Sequence, residues 1–136
     1  MKRVSVGRLG RLRGEGGDVA PLVVLTTITV FMVMFVVQLG LFFHARTVVN
    51  AAAQDGLRAA QLEGGTGVDA KQAAQNILAG SSGLLSGQVV NIEYRSSTEV
   101  EVRISADVTS LVPFWDGSIT STAVGPVEQF RPEGER

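Results

Sequence analysis

Residues 19–43 read VAPLVVLTTITVFMVMFVVQLGLFF, 25 consecutive positions without an ionisable side chain. As an α-helix with a rise of about 1.5 Å per residue, this stretch is roughly 37 Å long, whereas the hydrocarbon core of a bilayer is about 30 Å thick. Sixteen of the 25 residues are Leu, Ile, Phe or Val, so insertion is favourable by roughly 5–10 kcal/mol. We therefore expect residues 18–43 to form a transmembrane helix.

The charges on the two sides of this helix predict its orientation. The first 14 residues carry five Lys or Arg and no acidic residue, whereas residues 44–136 carry seven Lys or Arg and eleven Asp or Glu. Basic residues are retained on the cytoplasmic side of a membrane. The sequence therefore predicts a single-pass cell-membrane protein with a basic cytoplasmic leader over residues 1–17 and an acidic extracytoplasmic domain.

The apolar helix has no stop signal at its outer end. The next residues, HARTVVNAAAQDGLRAAQL, are rich in alanine and other helix formers, and glycines follow at positions 64, 65 and 67. We expect the helix to continue outside the membrane over residues 44–63. Ala51–Ala53 also resembles the small-residue site of a secretory signal peptide, which leaves release of a secreted domain near Ala53 as an alternative.

Five residues of the helix are candidates for contact with another helix: Gln38, Gly40, Ala52, Gly56 and Ala60. The last three recur every four residues and make a ridge of small side chains that permits close approach by a neighbouring helix. The same ridge suits packing on the protein's own sheet. A buried Gln38 amide would bond across helices, whereas near the membrane surface it would bond water.

The remaining sequence predicts a small α+β domain over residues 64–126, followed by a flexible tail over residues 127–136. Its predicted elements are a short helix over Val68–Ala79 and three antiparallel strands over Gln88–Arg95, Glu99–Thr109 and Ser118–Val124. Such a sheet needs a cover for its apolar face, and the two helices are the candidates. The alternation places Glu93, Glu99 and Glu101 on the solvent face.

The residue composition does not favour an enzyme. The chain has no cysteine and one histidine, His44, which lies at the expected membrane boundary. A nucleophile needs a base oriented by a third group, and metal sites need several ligands. We expect no catalytic, cofactor or metal site and neither a nucleic-acid nor a small-molecule partner. Phe114 and Trp115 form an aromatic loop tip that either contacts a partner or the outer leaflet, or folds inward as part of the core.

The stretch GDVAPLVVLTTITVFMVMFVVQLGLFFHARTVVNAAAQDGLRAA, residues 17–60, resembles the TadE-like pseudopilins of the tight-adherence (Flp) pilus system, a type IV pilin-like group. The resemblance implies a minor pilin or pseudopilin-like structural component of a pilus or secretion assembly in the cell envelope. It implies as partners the lipid bilayer, other pilin-like subunits and the tight-adherence secretion machinery. It further implies a prepilin peptidase that cuts after Gly17 and leaves Asp18 as the first residue.

One departure from the family's pattern leaves a second function open. Pilin-like substrates usually carry glutamate five residues after the cut, and Leu22 stands at that position here. The alternative is an uncleaved single-pass anchor whose domain binds an extracellular partner. Asp18 has a structural explanation as well, since aspartate is a favoured N-cap for the helix that follows.

Overall fold

A computed structural model of the chain describes residues 19–62, 64–113, 115 and 117–127. The predictions for the leader, Gly17, Asp18, Phe114 and residues 128–136 of the tail lie outside these ranges. The elements in chain order are α1 (Val19–Gln61), α2 (Gly67–Ala79), β1 (Leu85–Ser96), β2 (Glu99–Val108) and β3 (Gly117–Pro126). They form a long apolar helix, a short helix and a three-stranded antiparallel sheet, which confirms the predicted α+β class.

The first part of α1, up to Val33, forms a compact unit by itself, and the second unit begins at Met34. The large hydrophobic side chains from Val19 to Val33 are all 53–69% exposed. Thr26, Thr27 and Thr29 each donate their hydroxyl to the carbonyl four residues earlier, at 2.8–2.9 Å. These bonds satisfy the hydroxyls within the helix, as an apolar environment requires. In the part of the chain that the structure describes, α1 is the one helix long and apolar enough to cross a membrane.

The second part of α1 changes from an exposed helix to a core helix. Its buried residues recur at spacings of three and four along one face: Ala45, Val49, Ala52, Ala53, Gly56, Leu57 and Ala60. The helix ends at Gln61, and Gly64 follows with φ +76°, a left-handed conformation that glycine adopts without steric cost. The predicted continuation of α1 beyond the apolar stretch is therefore confirmed.

Helix α2 begins with a reciprocal pair of cap bonds. The Asp69 backbone N–H donates to the Thr66 hydroxyl at 3.3 Å, and the Thr66 backbone N–H donates to the Asp69 carboxylate at 3.0 Å. Hydrogen bonds from the Thr66 hydroxyl and backbone lower the pKa of Asp69 below its usual 3.8. The ionised carboxylate therefore supports the fold above pH 3.8, and its contribution is lost as the pH falls through the lowered pKa.

The three strands form a meander in the order β1-β2-β3, with both pairs antiparallel. Strand β1 begins at Leu85, three residues before the predicted start at Gln88. Between Ser86 and Val89 the pairing with β2 shifts by an irregularity, where Gly87 has φ +58°. This bulge interrupts the two-residue alternation on which the prediction rested.

Both helices cover one face of the sheet, as the sequence predicted. The central strand β2 contributes Val100, Val102 and Ile104, all fully buried, and β1 places Ile92 opposite Val102. The hydrophobic core joins these side chains to the small residues of α1 and to the buried face of α2, which ends in Leu78. Alanine and glycine on α1 let the helix approach the sheet closely.

Gly56 and Gly40 provide a matched test of this packing. A Cβ added at Gly56 would lie 3.0 Å from the Ala70 carbonyl oxygen and 3.3 Å from Ala74 Cβ, whereas at Gly40 it would meet nothing within 4 Å. We expect Gly56→Leu to lower the free energy of unfolding by about 1–3 kcal/mol through overpacking. Gly40→Leu is expected to leave it unchanged or slightly higher. Urea denaturation of the full chain in detergent checks this, and equal effects of the two substitutions would contradict it.

Candidate functional site

The loop after β2 returns to α1 and binds the end of its apolar stretch. We call residues 109–113 together with Trp115 the junction loop. The Leu111 backbone N–H donates to Gln38 Oε1 at 2.8 Å, and the Gln38 side chain is fully buried. The sequence offered a neighbouring helix or water as the partner of this amide; its oxygen accepts a bond from the protein's own loop, and contact of its Nε2 with another helix or with water stays a prediction. The fully buried Gln38 side chain thus supplies an acceptor for a backbone N–H of the loop.

Trp115 packs the same loop against α1 through aromatic contacts. Its ring meets Phe35 edge-on at a centroid distance of 6.1 Å and Phe42 at 6.4 Å, with interplanar angles of 75° and 77°. Trp115 therefore packs on α1, and contact of the aromatic tip with a partner or with the outer leaflet stays a prediction. A Cβ at Gly117 would lie 2.8 Å from Trp115 Nε1 and 3.5 Å from Phe42, so glycine allows this close approach.

Two buried donors of this junction have no hydrogen-bond partner among the residues described: Gln38 Nε2 and Trp115 Nε1. Both face the contact between α1 and the junction loop. The sequence identified Gln38 and Trp115 as candidates because each is unusual in its segment. It did not identify Phe35, Phe42 or Leu111, which resemble ordinary apolar residues and lie far from their partners along the chain.

The small-residue ridge of α1 packs inside the fold. Ala52, Gly56 and Ala60 are buried against α2 and the sheet, which is the second of the two alternatives that the sequence left open. Gly40 lies differently, on an exposed part of α1 with open space around it. Contact of any of these residues with a neighbouring subunit stays a prediction.

Glu101 corrects one expectation for the sheet. Instead of facing solvent freely, it is 2% exposed on the central strand. Arg103 donates to Glu101 Oε1 at 2.8 Å, and Arg95 forms an ion pair with Glu101 Oε2. The alternation placed Glu101 on the same side as Arg103, but it did not show that the guanidinium groups of Arg95 and Arg103 both contact this buried carboxylate. Glu93 lies directly opposite Glu101 in the register and is exposed.

His44 is exposed on α1, six residues after Gln38. Within residues 19–62, 64–113, 115 and 117–127, His, Cys, Asp and Glu side chains form no group of three or more that could hold a metal ion. The contacts of the junction loop with α1 are aromatic packing and one hydrogen bond from a backbone N–H to a side chain. They join a helix with an exposed apolar surface to a compact α+β domain.

Comparison with protein families finds a similarity that is confined to α1. The model of the family described as TadE-like protein matches residues 19–58, nearly the whole of α1, and this confirms the resemblance predicted from residues 17–60. No curated protein and no solved structure is significantly similar to the chain. The exposed apolar helix and the TadE-like match together indicate a membrane-anchored protein.

Glu101 and Glu93 test the buried ion-pair cluster. Replacing Glu101 by Gln removes the charge that two arginines share in a site of low exposure, and we expect the free energy of unfolding to fall by about 1–3 kcal/mol. Glu93→Gln removes a like charge opposite Glu101, so stability should be unchanged or slightly higher. Urea denaturation of the detergent-solubilised chain compares them. If Glu101→Gln left the free energy of unfolding unchanged, the ion-pair cluster would have no role in stability.

Gln38 and Gln54 test the bond between α1 and the junction loop. Gln38→Leu removes the acceptor of the Leu111 N–H, and we expect the loss of this bond to cost about 0.5–1.5 kcal/mol. Gln54 is exposed on the same helix, so Gln54→Leu serves as the matched control. Trp115, the single tryptophan of the chain, reports loop release as a red shift of its emission. We expect the shift at lower urea concentration in Gln38→Leu only, and coincident transitions in both variants would contradict the assignment.

Proposed function

We propose that the protein is a minor pilin or pseudopilin-like structural component of a tight-adherence-type pilus or secretion assembly in the cell envelope. It is anchored by the apolar part of α1, with its leader in the cytoplasm and its domain outside. Its partners are the bilayer, other pilin-like subunits and the tight-adherence secretion machinery. Its role is structural and not catalytic.

The observation that carries this proposal is the extent of the TadE-like match. Residues 19–58 include both the exposed apolar helix and most of the helix that forms the domain core. The family's similarity therefore covers the anchor and its continuation as one segment. A helix that leaves the membrane and enters the core of a small domain suits a subunit that is held in the bilayer before assembly.

Two alternatives differ in their support. Leu22, where pilin-like substrates usually carry glutamate, favours an uncleaved anchor whose domain binds an extracellular partner. Release of a secreted domain near Ala53 is disfavoured, because Ala52 and Ala53 are fully buried within α1. A cut there would require the helix to unwind. It would also remove Ala45 and Val49 from the core that covers the sheet.

The intact mass of the mature protein from envelope fractions tests the processing step. For a pilin-like subunit we expect Asp18 as the first residue after a cut behind Gly17. Gly17→Leu should preserve the leader, whereas Gly14→Leu, the matched control outside the proposed site, should leave processing unchanged. Met1 as the first residue would instead support the uncleaved anchor, and Gln54 would support the secreted domain.

Labelling of single cysteines tests the orientation, since the chain has no native cysteine. Lys71 is exposed on α2, and Ser5 lies in the basic leader. In intact cells we expect a membrane-impermeant maleimide to label Lys71→Cys and to spare Ser5→Cys, which should react only after the membrane is permeabilised. The reverse pattern would refute the proposed orientation.

A further inference from the structure

The junction loop covers one side of α1. At the same level along the helix, the opposite side is apolar and exposed. Phe43, the last residue of the apolar stretch, is 60% exposed, and Val36 and Val37 are also exposed. Gln38 and Phe42 lie on the face that the loop covers. The same turns of the helix therefore present bare hydrophobic surface on one side and the domain on the other.

The position of the loop along the helix follows from the helix rise. Gln38 precedes Phe43 by five residues, which is roughly 7–8 Å along the axis. Leu111 N is hydrogen-bonded to Gln38 at 2.8 Å. If lipid covers Phe43, the loop segment at Leu111 lies below the level of Phe43, at a depth typical of structures that enter the boundary between headgroups and acyl chains.

The chemistry of this segment suits that environment. Residues 109–113 read TSLVP and carry no charge, and Leu111 is 49% exposed. Several polar groups beside it are bonded internally: the Ser110 hydroxyl donates to the Val112 carbonyl at 2.7 Å, and the Thr109 backbone N–H donates to the Leu84 carbonyl at 2.9 Å. Pro113 has no N–H to satisfy. Backbone that enters a region poor in water needs such partners.

We propose that the tip of the junction loop, residues 110–113, inserts into the leaflet on the domain's side of the membrane, with Leu111 in contact with lipid. The inference rests on the proposed membrane anchoring of α1. Trp115, packed on Phe35 and Phe42, holds the tip against the helix at this depth. The domain thus contacts the bilayer through its own loop as well as through α1, and the membrane limits how the domain can move.

Three single cysteines in the otherwise cysteine-free chain test the insertion. Leu111→Cys probes the tip, and Phe43→Cys probes the exposed end of the apolar helix. Val124→Cys is the matched control, because Val124 is 45% exposed on β3 beside Gly125 and Pro126. The Pro126 carbonyl accepts from Gln61 Nε2 at 2.8 Å, and Gln61 lies 23 residues beyond Gln38, roughly 34 Å along α1.

Each full-length variant carries a nitroxide label in vesicles of phosphatidylcholine and phosphatidylglycerol. Collision with oxygen, which concentrates in lipid, is compared with collision with a water-soluble nickel chelate. We expect labels at Leu111 and Phe43 to meet oxygen several-fold more readily than the chelate, and the label at Val124 to show the opposite. A water-exposed label at Leu111 beside a lipid-exposed label at Phe43 would overturn the insertion and leave the anchoring intact.

Two other outcomes also decide between the possibilities. A Leu111 label shielded from both reagents would mean that protein, such as a second copy of the chain, covers the tip, and this too would overturn the insertion. A water-exposed label at Phe43 would refute the membrane anchoring on which the inference rests. The wavelength of Trp115 emission in each variant reports whether the loop remains packed on α1. A loop that has detached from α1 is thereby distinguished from a packed loop that is exposed to water.

Discussion

Helix α1 has an exposed apolar part and a part that is buried in the domain core, and the rest of the structure depends on this combination. Up to Val33 the large apolar side chains of α1 are exposed, whereas from Ala45 onward one face of the helix, made mostly of small residues, is buried. The exposed part requires lipid or protein around it because bare apolar surface of this extent is costly in water. The buried part supplies the small residues on which the sheet and α2 pack.

The junction loop lies where these two parts of α1 meet. Gln38 would be an unfavourable residue in hydrocarbon without a partner, and here its oxygen accepts a hydrogen bond from the backbone of the loop. Trp115 and the phenylalanines of α1 add apolar contact around this bond. The polar bond determines the position of the loop, and the aromatic packing excludes water from it. Through this loop the domain is coupled to α1 at a second position, away from the helix's own continuation into the core.

Much of this architecture could be predicted from local sequence. The uncharged run of 25 residues, the alanine-rich continuation and the alternation of β2 each indicate one element and one buried face, and the structure shows those elements. The bulge near Gly87 was missed because it depends on one left-handed residue. The partner of Gln38 was missed because Leu111 is 73 residues away. The burial of Glu101 was missed because alternation identifies a face but not the arginines that fold over it.

Amide hydrogen exchange of the full chain in nanodiscs tests most directly whether anchor and core are one helix. The informative amides are those from Phe43 to Val49, which leave the apolar stretch and enter the domain. An unbroken α1 predicts slow exchange throughout this segment, because each amide is bonded within the helix and one face is packed on the sheet. A run of rapidly exchanging amides between Phe43 and Val48 would show a hinge between two separate elements and would contradict the account.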